Sequence, residues 1–254
     1  MNNQKIYHLH IPRTSGRCVC DALRMTFDKN MFIQEPLHDY GQLIIYDNSL
    51  FGDRPYISGH FGINPIIENE YNLDVMSIVR DPIDHYLSVA AYVAATAQMK
   101  MSNDFLEEFL YGYVTPFGSN ELFSSSGNIQ SKMLFCRIAI ADSSVVAVRD
   151  GDVANESNLV FIESDMPDEK KIADKIKLFN IFTLQNRHKA VSWLDNKIFN
   201  LYGFRIDSSI NLVSNCSNNS GFTPDKSHIK EIESRSQIDR HLYQVVLEMD
   251  KMRA

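Results

Sequence analysis

Three short stretches of this chain carry side chains suited to gripping an anion and moving a proton. Residues 12 to 18, Pro-Arg-Thr-Ser-Gly-Arg-Cys, set Arg13 and Arg17 around a small polar turn. Residues 80 to 88 open with Arg-Asp-Pro and reach Ser88 seven positions after Asp81. On a helix those seven steps return to nearly the same face, about 10 Å along the axis, so Arg80 and Ser88 could both reach one anion. Between these stretches lies Gly59-His60, and an imidazole is the side chain that exchanges a proton near neutral pH. Cations, hydroxyls and unpaired backbone N–H groups of this kind hold phosphate, and His60 adds a candidate base.

The elements that must present these residues follow from the hydrophobic pattern. Ile6, Tyr7, Leu9 and Ile11 form a short apolar run that Pro12 closes, because proline has no N–H for a strand ladder. After the turn, Val19, Ala22, Leu23 and Thr26/Phe27 recur at helical spacing, so the chain reads strand, tight loop, helix. Thr14, Ser15 and Gly16 then sit at a helix N-terminus, where backbone N–H groups and the helix dipole favour negative charge. An ordinary strand-to-helix connection with two surface arginines fits the same residues. A Walker loop does not, since Gly16 is followed by Arg17-Cys18 and not Lys-Ser/Thr. Residues 55–59 make a second strand ending at Gly59-His60, and 74–79 a third ending at Arg80. Asp81 as N-cap and Pro82 at the first helical position start a helix to about Ala97. Each of these features also has a plain structural reading: Arg80 paired to a carboxylate, Ser88 a tolerated small residue, His60 a core histidine.

The whole chain bounds what such a site can serve. At 254 residues, 44% hydrophobic, it is long enough for one sizeable core, and a single domain over 1–254 is expected. A net charge of −7 argues against a nucleic-acid binder, so any anion site must be a local cluster of arginines. Cys18, Cys20, Cys136 and Cys216 lack a zinc-ligand spacing and read as free thiols, and no metal is expected. No run approaches a membrane span and no signal sequence precedes the first strand, so a cytoplasmic protein is expected.

Further along, 43–46 is an apolar run, 103–113 is amphipathic, and 116–127 is a polar loop able to cover a cleft. Asn128 stands as an N-cap before 129–134; 158–163 reads as a buried strand with a solvated Glu163, and 170–179 as an amphipathic helix. Residues 185–206 find no assignment beyond an insertion that shapes acceptor choice. A loop at 211–221 precedes helical spacing that begins at Thr223-Pro224 and continues to the C-terminal end.

The run His10-Ile11-Pro12-Arg13-Thr14-Ser15-Gly16-Arg17-Cys18 resembles the His-Ile-Pro-Lys-Thr-Gly-Gly-Thr-Ser pattern of sulfotransferases that use 3′-phosphoadenosine 5′-phosphosulfate (PAPS). Arg80-Asp81-Pro82 with Ser88 matches the family's Arg-Asp-Pro-x-x-x-x-x-Ser, and Gly59-His60 resembles the Gly-His of the heparan sulfate 2-O-sulfotransferase branch. Asn128-Ile129-Gln130 is similar to the family's Asn-Leu-Gln segment. The resemblance implies an α/β fold, a central mostly parallel sheet flanked by helices with a P-loop-like nucleotide site. It implies that Arg13, Thr14, Ser15, Gly16, Arg17 and Cys18 wrap the 5′-phosphosulfate and that Arg80 and Ser88 hold the 3′-phosphate. Arg13 would stabilise the leaving phosphate, His60 would act as base, and Asn128 and Gln130 would lie by the acceptor, a glycan or small polar metabolite. Residues 214–220 would close over the nucleotide, and the product would be 3′,5′-adenosine bisphosphate (PAP), with no metal required. Arg13 replaces the family lysine, Ser15 a glycine, and Arg17-Cys18 a Thr-Ser, so the loop trades two hydroxyls for a guanidinium. A non-catalytic nucleotide-binding protein of the same fold and a kinase-like phosphotransferase remain the alternatives.

Overall fold

Alternation along the central strands decides how this chain is layered. A computed structural model describes residues 4–26, 32–34, 56–68, 73–111, 127–140, 148–149, 152–153, 159–206 and 222–253. In chain order these form β1 (Lys5–Leu9), α1 (Gly16–Thr26), β2 (Phe32–Gln34), β3 (Tyr56–Gly59), α2 (Asn64–Glu68), β4 (Leu73–Val79), α3 (Pro82–Thr96), α4 (Asn103–Leu110) and α5 (Ile129–Phe135). There follow β5 (Ile138–Ile140), β6 (Val148–Arg149), β7 (Asp152–Val153), β8 (Leu159–Phe161), α6 (Glu169–Lys175), β9 (Asn180–Thr183), α7 (Arg187–Tyr202), α8 (Lys226–Arg235) and α9 (Gln237–Met252).

Five strands pair in parallel in the order β9-β4-β1-β3-β2, with β1 at the centre, Ile6 opposite Tyr56 on one side and Asp74 on the other. Side chains alternate between the two faces of a strand. Ile6, Tyr56, Met76, Ile78 and Phe182 pack with Val19 and Leu23 of α1 and with Ala190, Leu194 and Ile198 of α7. Their neighbours Tyr7, Leu9, Ile57, Val75, Val79 and Ile181 pack with α5, α6 and α9 through Met133, Ile172, Leu242 and Val246. A third cluster joins α3, α4 and α8 through Val89, Val93, Phe105, Leu106 and Ile232. This is the mostly parallel α/β sheet between helices that the sequence led us to expect.

Several elements depart from the sequence reading. Residues 180–183 form the edge strand β9, with Thr183 opposite Val79. The stretch 185–206 is largely α7, whose apolar stripe covers the sheet, so its main work is packing. β8 pairs antiparallel with β5, apart from the central sheet. The C-terminal helical run breaks at Ser236, whose hydroxyl donates back to the Ile232 carbonyl at 2.5 Å. Residues 43–46, 112–126 and 214–220, with the lid and the cleft-covering loop expected there, lie outside the described residues. Among the described residues no helix is long and apolar enough to cross a membrane.

The break at Ser236 lets two helix N-termini interlock. Asn128, at φ 62, turns its Oδ1 to accept from the N–H groups of Ile238 and Asp239 at 2.8 and 3.1 Å. Asp239 in turn accepts from the N–H groups of Gln130 and Ser131 at 3.1 and 2.7 Å. Asn128 therefore caps α9, and Asp239 caps α5, the helix that Asn128 precedes. Asn128→Ala, which loses this acceptor and adds strain at positive φ, is expected to cost about 2 kcal/mol in urea unfolding; a change under about 0.5 kcal/mol would contradict the cap.

Candidate functional site

The strand order fixes where a ligand belongs. From β1 the chain passes through α1 toward β3 and β2, whereas from β4 it passes through α3 toward β9, on the opposite side. Adjacent parallel strands whose connections diverge leave a crevice at their carboxyl ends, where open α/β sheets bind ligands. At this point the carboxyl ends of β1 and β4 carry the turn at 12–16 and the Arg80-Asp81-Pro82 junction. Ser77 ties the two ends together, its hydroxyl donating to the Leu9 carbonyl at 2.8 Å.

The first turn is held in an unusual backbone. Arg13 and Ser15 sit at φ 64 and 74 on either side of Thr14, and Gly16 begins α1. Such a turn leads directly into the N-terminus of α1, where unpaired backbone N–H groups and the helix dipole favour an anion. Ser15 stands where the resembling family has glycine, and its φ lies in the region glycine enters without penalty. Thr14 is buried and donates its hydroxyl proton to the Ile11 carbonyl at 2.7 Å, so toward a ligand it has its backbone N–H to offer. At Gly16 a Cβ would fall 2.0 Å from the His10 ring, which lies directly on the glycine. Arg17 and Cys18 belong to the first turn of α1; their side chains are outside the described residues.

The second turn approaches the first through α3. Asp81 caps this helix, its Oδ1 accepting from the N–H groups of Ile83 and Asp84. His85, Ser88 and Tyr92 then share one helical face, and all three meet the first turn. The His85 Nε2–H donates to the Pro12 carbonyl at 2.8 Å, the Arg13 Nε–H donates to Ser88 Oγ at 3.3 Å, and the Arg13 guanidinium lies 5.1 Å from the Tyr92 ring centre. Burial above all, with the charges of Arg80 and Arg13 adding to it, lowers the His85 pKa to about 4 against the opposing pull of the Pro12 carbonyl. Both arginines thus act on one buried ring. Arg80 Nε is buried with no hydrogen-bond partner among the described residues. A desolvated cationic donor left in that state is costly, and an anion accepting from it would remove the cost.

His60 is 5% exposed. Its Nδ1–H donates to the His10 carbonyl at 2.5 Å, and the two rings lie 4.3 Å apart. A neutral ring that donates from Nδ1 carries its basic nitrogen at Nε2. His8 continues the stack 5.5 Å from His10, and burial, then the His60 ring, lowers its pKa to about 3. Asn128 and Gln130, expected beside the acceptor, have partners within the protein. Asn128 caps α9, and Gln130, fully buried, binds the backbone of Arg80 at both its N–H and its carbonyl.

No protein-family model and no curated protein matches this chain. Among solved structures it is similar to mouse sulfotransferase SULT7A1 complexed with PAP, at 14% identity and a TM-score of 0.40, over 91% of this chain and 63% of that one. So remote a likeness assigns no residue and no ligand.

The structure therefore sets Arg13, Thr14, Ser15 and Gly16 after the carboxyl end of β1 and Arg80 after that of β4, links the two through the Arg13–Ser88 bond, and lays the His60 ring against that of His10. Sequence reasoning missed His85 and Tyr92, although their spacing from Ser88 was available. His85 gives a pH test. Between pH 6.5 and about 4 the unfolded chain takes a proton that the folded His85 refuses, so stability falls as pH falls through this window. His8 adds to the fall down to about pH 3, while Asp239, raised to about 6 by burial, opposes it between about 6 and 3.8. His85→Gln keeps an N–H for the Pro12 carbonyl and cannot titrate. Urea midpoints followed from pH 7 to 4 are expected to fall less steeply than in the wild type; an unchanged slope would contradict the assignment.

Proposed function

We propose that this chain is a sulfotransferase that uses PAPS and delivers the sulfuryl group to a hydroxyl or amine of a carbohydrate or small polar metabolite. The observation that carries this reading is the Nε–H of Arg80, without a partner among the described residues, together with the Arg13–Ser88 contact at the switch point of a parallel sheet. A nucleotide with phosphates on both its 3′ and 5′ oxygens offers an acceptor to each cationic turn. Backbone N–H groups of Thr14, Ser15 and Gly16, with Arg17 and Cys18 beside them, take the 5′-phosphosulfate, and Arg80 and Ser88 take the 3′-phosphate. Arg13, next to Ser88, neutralises charge growing on the leaving phosphate oxygen. As the acceptor oxygen bonds to sulfur and the sulfur–phosphate oxygen bond breaks, the acceptor proton passes to Nε2 of His60. PAP leaves with the extra negative charge. Asn128 and Gln130 have no part in acceptor binding here, because their amides hold α9 and Arg80.

The burial of His60 favours a second reading, a protein that binds the nucleotide without transferring from it. Calorimetry with PAP against ATP and magnesium, followed by turnover of labelled PAPS, separates the possibilities. Tight PAP binding with weak ATP binding is expected, with turnover falling at least about 100-fold in both Arg13→Ala and His60→Ala. His60→Ala is expected to keep PAP affinity within a few-fold. Unchanged turnover would remove His60 from the chemistry, PAP binding without turnover would support the second reading, and preference for ATP would point to a phosphotransferase.

A further inference from the structure

Gln130 occupies a position that a sheet would otherwise leave empty. β4 ends at Val79, which pairs with Thr183, the last residue of β9, so residue 80 stands one step beyond the ladder. The side chain of Gln130 completes that step. Its Oε1 accepts from the Arg80 N–H at 2.8 Å and its Nε2–H donates to the Arg80 carbonyl at 2.9 Å. Two bonds on the two peptide groups flanking one residue fix both of its soft dihedrals, and with them the direction in which its side chain leaves the backbone. Gln130 is itself seated from behind: its N–H donates to Asp239 Oδ2 at 3.1 Å, and the neighbouring Ser131 donates its N–H and hydroxyl to Oδ1 at 2.7 and 2.6 Å. All three residues are buried.

We infer that Gln130, seated by Asp239, is the positioning residue for Arg80 and sets the strength with which the site holds the phosphate that Arg80 faces. This rests on the nucleotide reading above and deepens it, giving the Asn-Ile-Gln segment a task at the 3′-phosphate in place of acceptor contact. Arg80 is half-buried and its Nε lies buried without a partner among the described residues, which restricts how far the group can reorient toward a ligand. The direction of its side chain must be set in advance, and the amide of Gln130 sets it.

Calorimetric titration of the whole chain with adenosine 3′,5′-bisphosphate and with adenosine 5′-monophosphate, which lacks the 3′-phosphate, tests this. Gln130→Met, similar in length but unable to make either bond, is expected to weaken the bisphosphate at least about tenfold and the monophosphate less than about twofold. Added to Arg80→Ala it should weaken the bisphosphate no further than Arg80→Ala alone. Gln130→Glu keeps the acceptor for the Arg80 N–H and gives the same one-sided loss at smaller size, which serves if the methionine variant does not fold. Asn64 makes an equivalent two-bond clamp on Ile138, its amide donating to the carbonyl and accepting from the N–H, each at 2.8 Å. Asn64→Leu should lower stability while leaving both affinities unchanged. Equal losses for the two nucleotides, or losses that add to those of Arg80→Ala, would overturn the positioning role. A wild type that binds both nucleotides equally would overturn the inference and the 3′-phosphate half of the proposed site while leaving a nucleotide site at 13–16, whereas one that binds neither would overturn the whole nucleotide reading and the inference with it.

Discussion

The Arg13 Nε–H reaches Ser88 and so ties the turn after β1 to α3, the helix that follows Arg80. Bringing two cations together at a half-buried edge is unfavourable without an anion, since like charges repel more strongly as water is excluded. The fold nevertheless spends several contacts on it. His85 joins α3 to the Pro12 carbonyl, Ser77 joins the ends of the two strands, and Gln130 fixes the backbone of Arg80. His85 contributes without adding charge, because burial and the neighbouring arginines hold it neutral down to about pH 4. A structure that concentrates positive potential and leaves a cationic N–H without an acceptor is arranged for a ligand that supplies one.

Much of the frame was legible in the sequence. Ile6, Tyr7 and Leu9 ended by Pro12, the apolar run 74–79 ended by Arg80, and Asp81-Pro82 as a helix start are strong local signals, and each element formed where its signal lies. The pairing of Arg13 with Ser88 was legible only in outline. Helical spacing put Ser88 near Arg80, but which strand lies beside which is a property of topology that no local window carries. β9 was hidden for a different reason: Asn180-Ile181-Phe182-Thr183 is too short and continuously apolar at its centre to be told from the end of the preceding helix. The stripe Ala190, Leu194, Ile198 of α7 was visible in the period, yet nothing local indicated that a sheet face awaited it.

Asn128 and Gln130 show how a polar residue can be legible in the sequence while its partner in the fold is not. Asn128 was legible as a cap, but it caps α9, more than a hundred residues away, because the αL backbone turns its amide away from its own helix. Gln130 carries a polar amide into a fully buried position, and such a group must find both donor and acceptor partners within the protein. It finds them on Arg80. The histidines form a similar contrast: the rings of His8, His10 and His60 follow one another in a row, and burial, then the His60 ring, holds the pKa of His8 down to about 3.

The central claim is that the turns at 13–16 and 80–88 are two halves of one site for a doubly phosphorylated nucleotide. A crystal structure with bound adenosine 3′,5′-bisphosphate tests it most directly. One phosphate is expected within hydrogen-bond reach of Arg80 Nε and Ser88 Oγ, and the other against the backbone N–H groups that lead into α1. A nucleotide bound elsewhere on the sheet, or bound with Arg80 Nε still lacking an acceptor, would contradict the account.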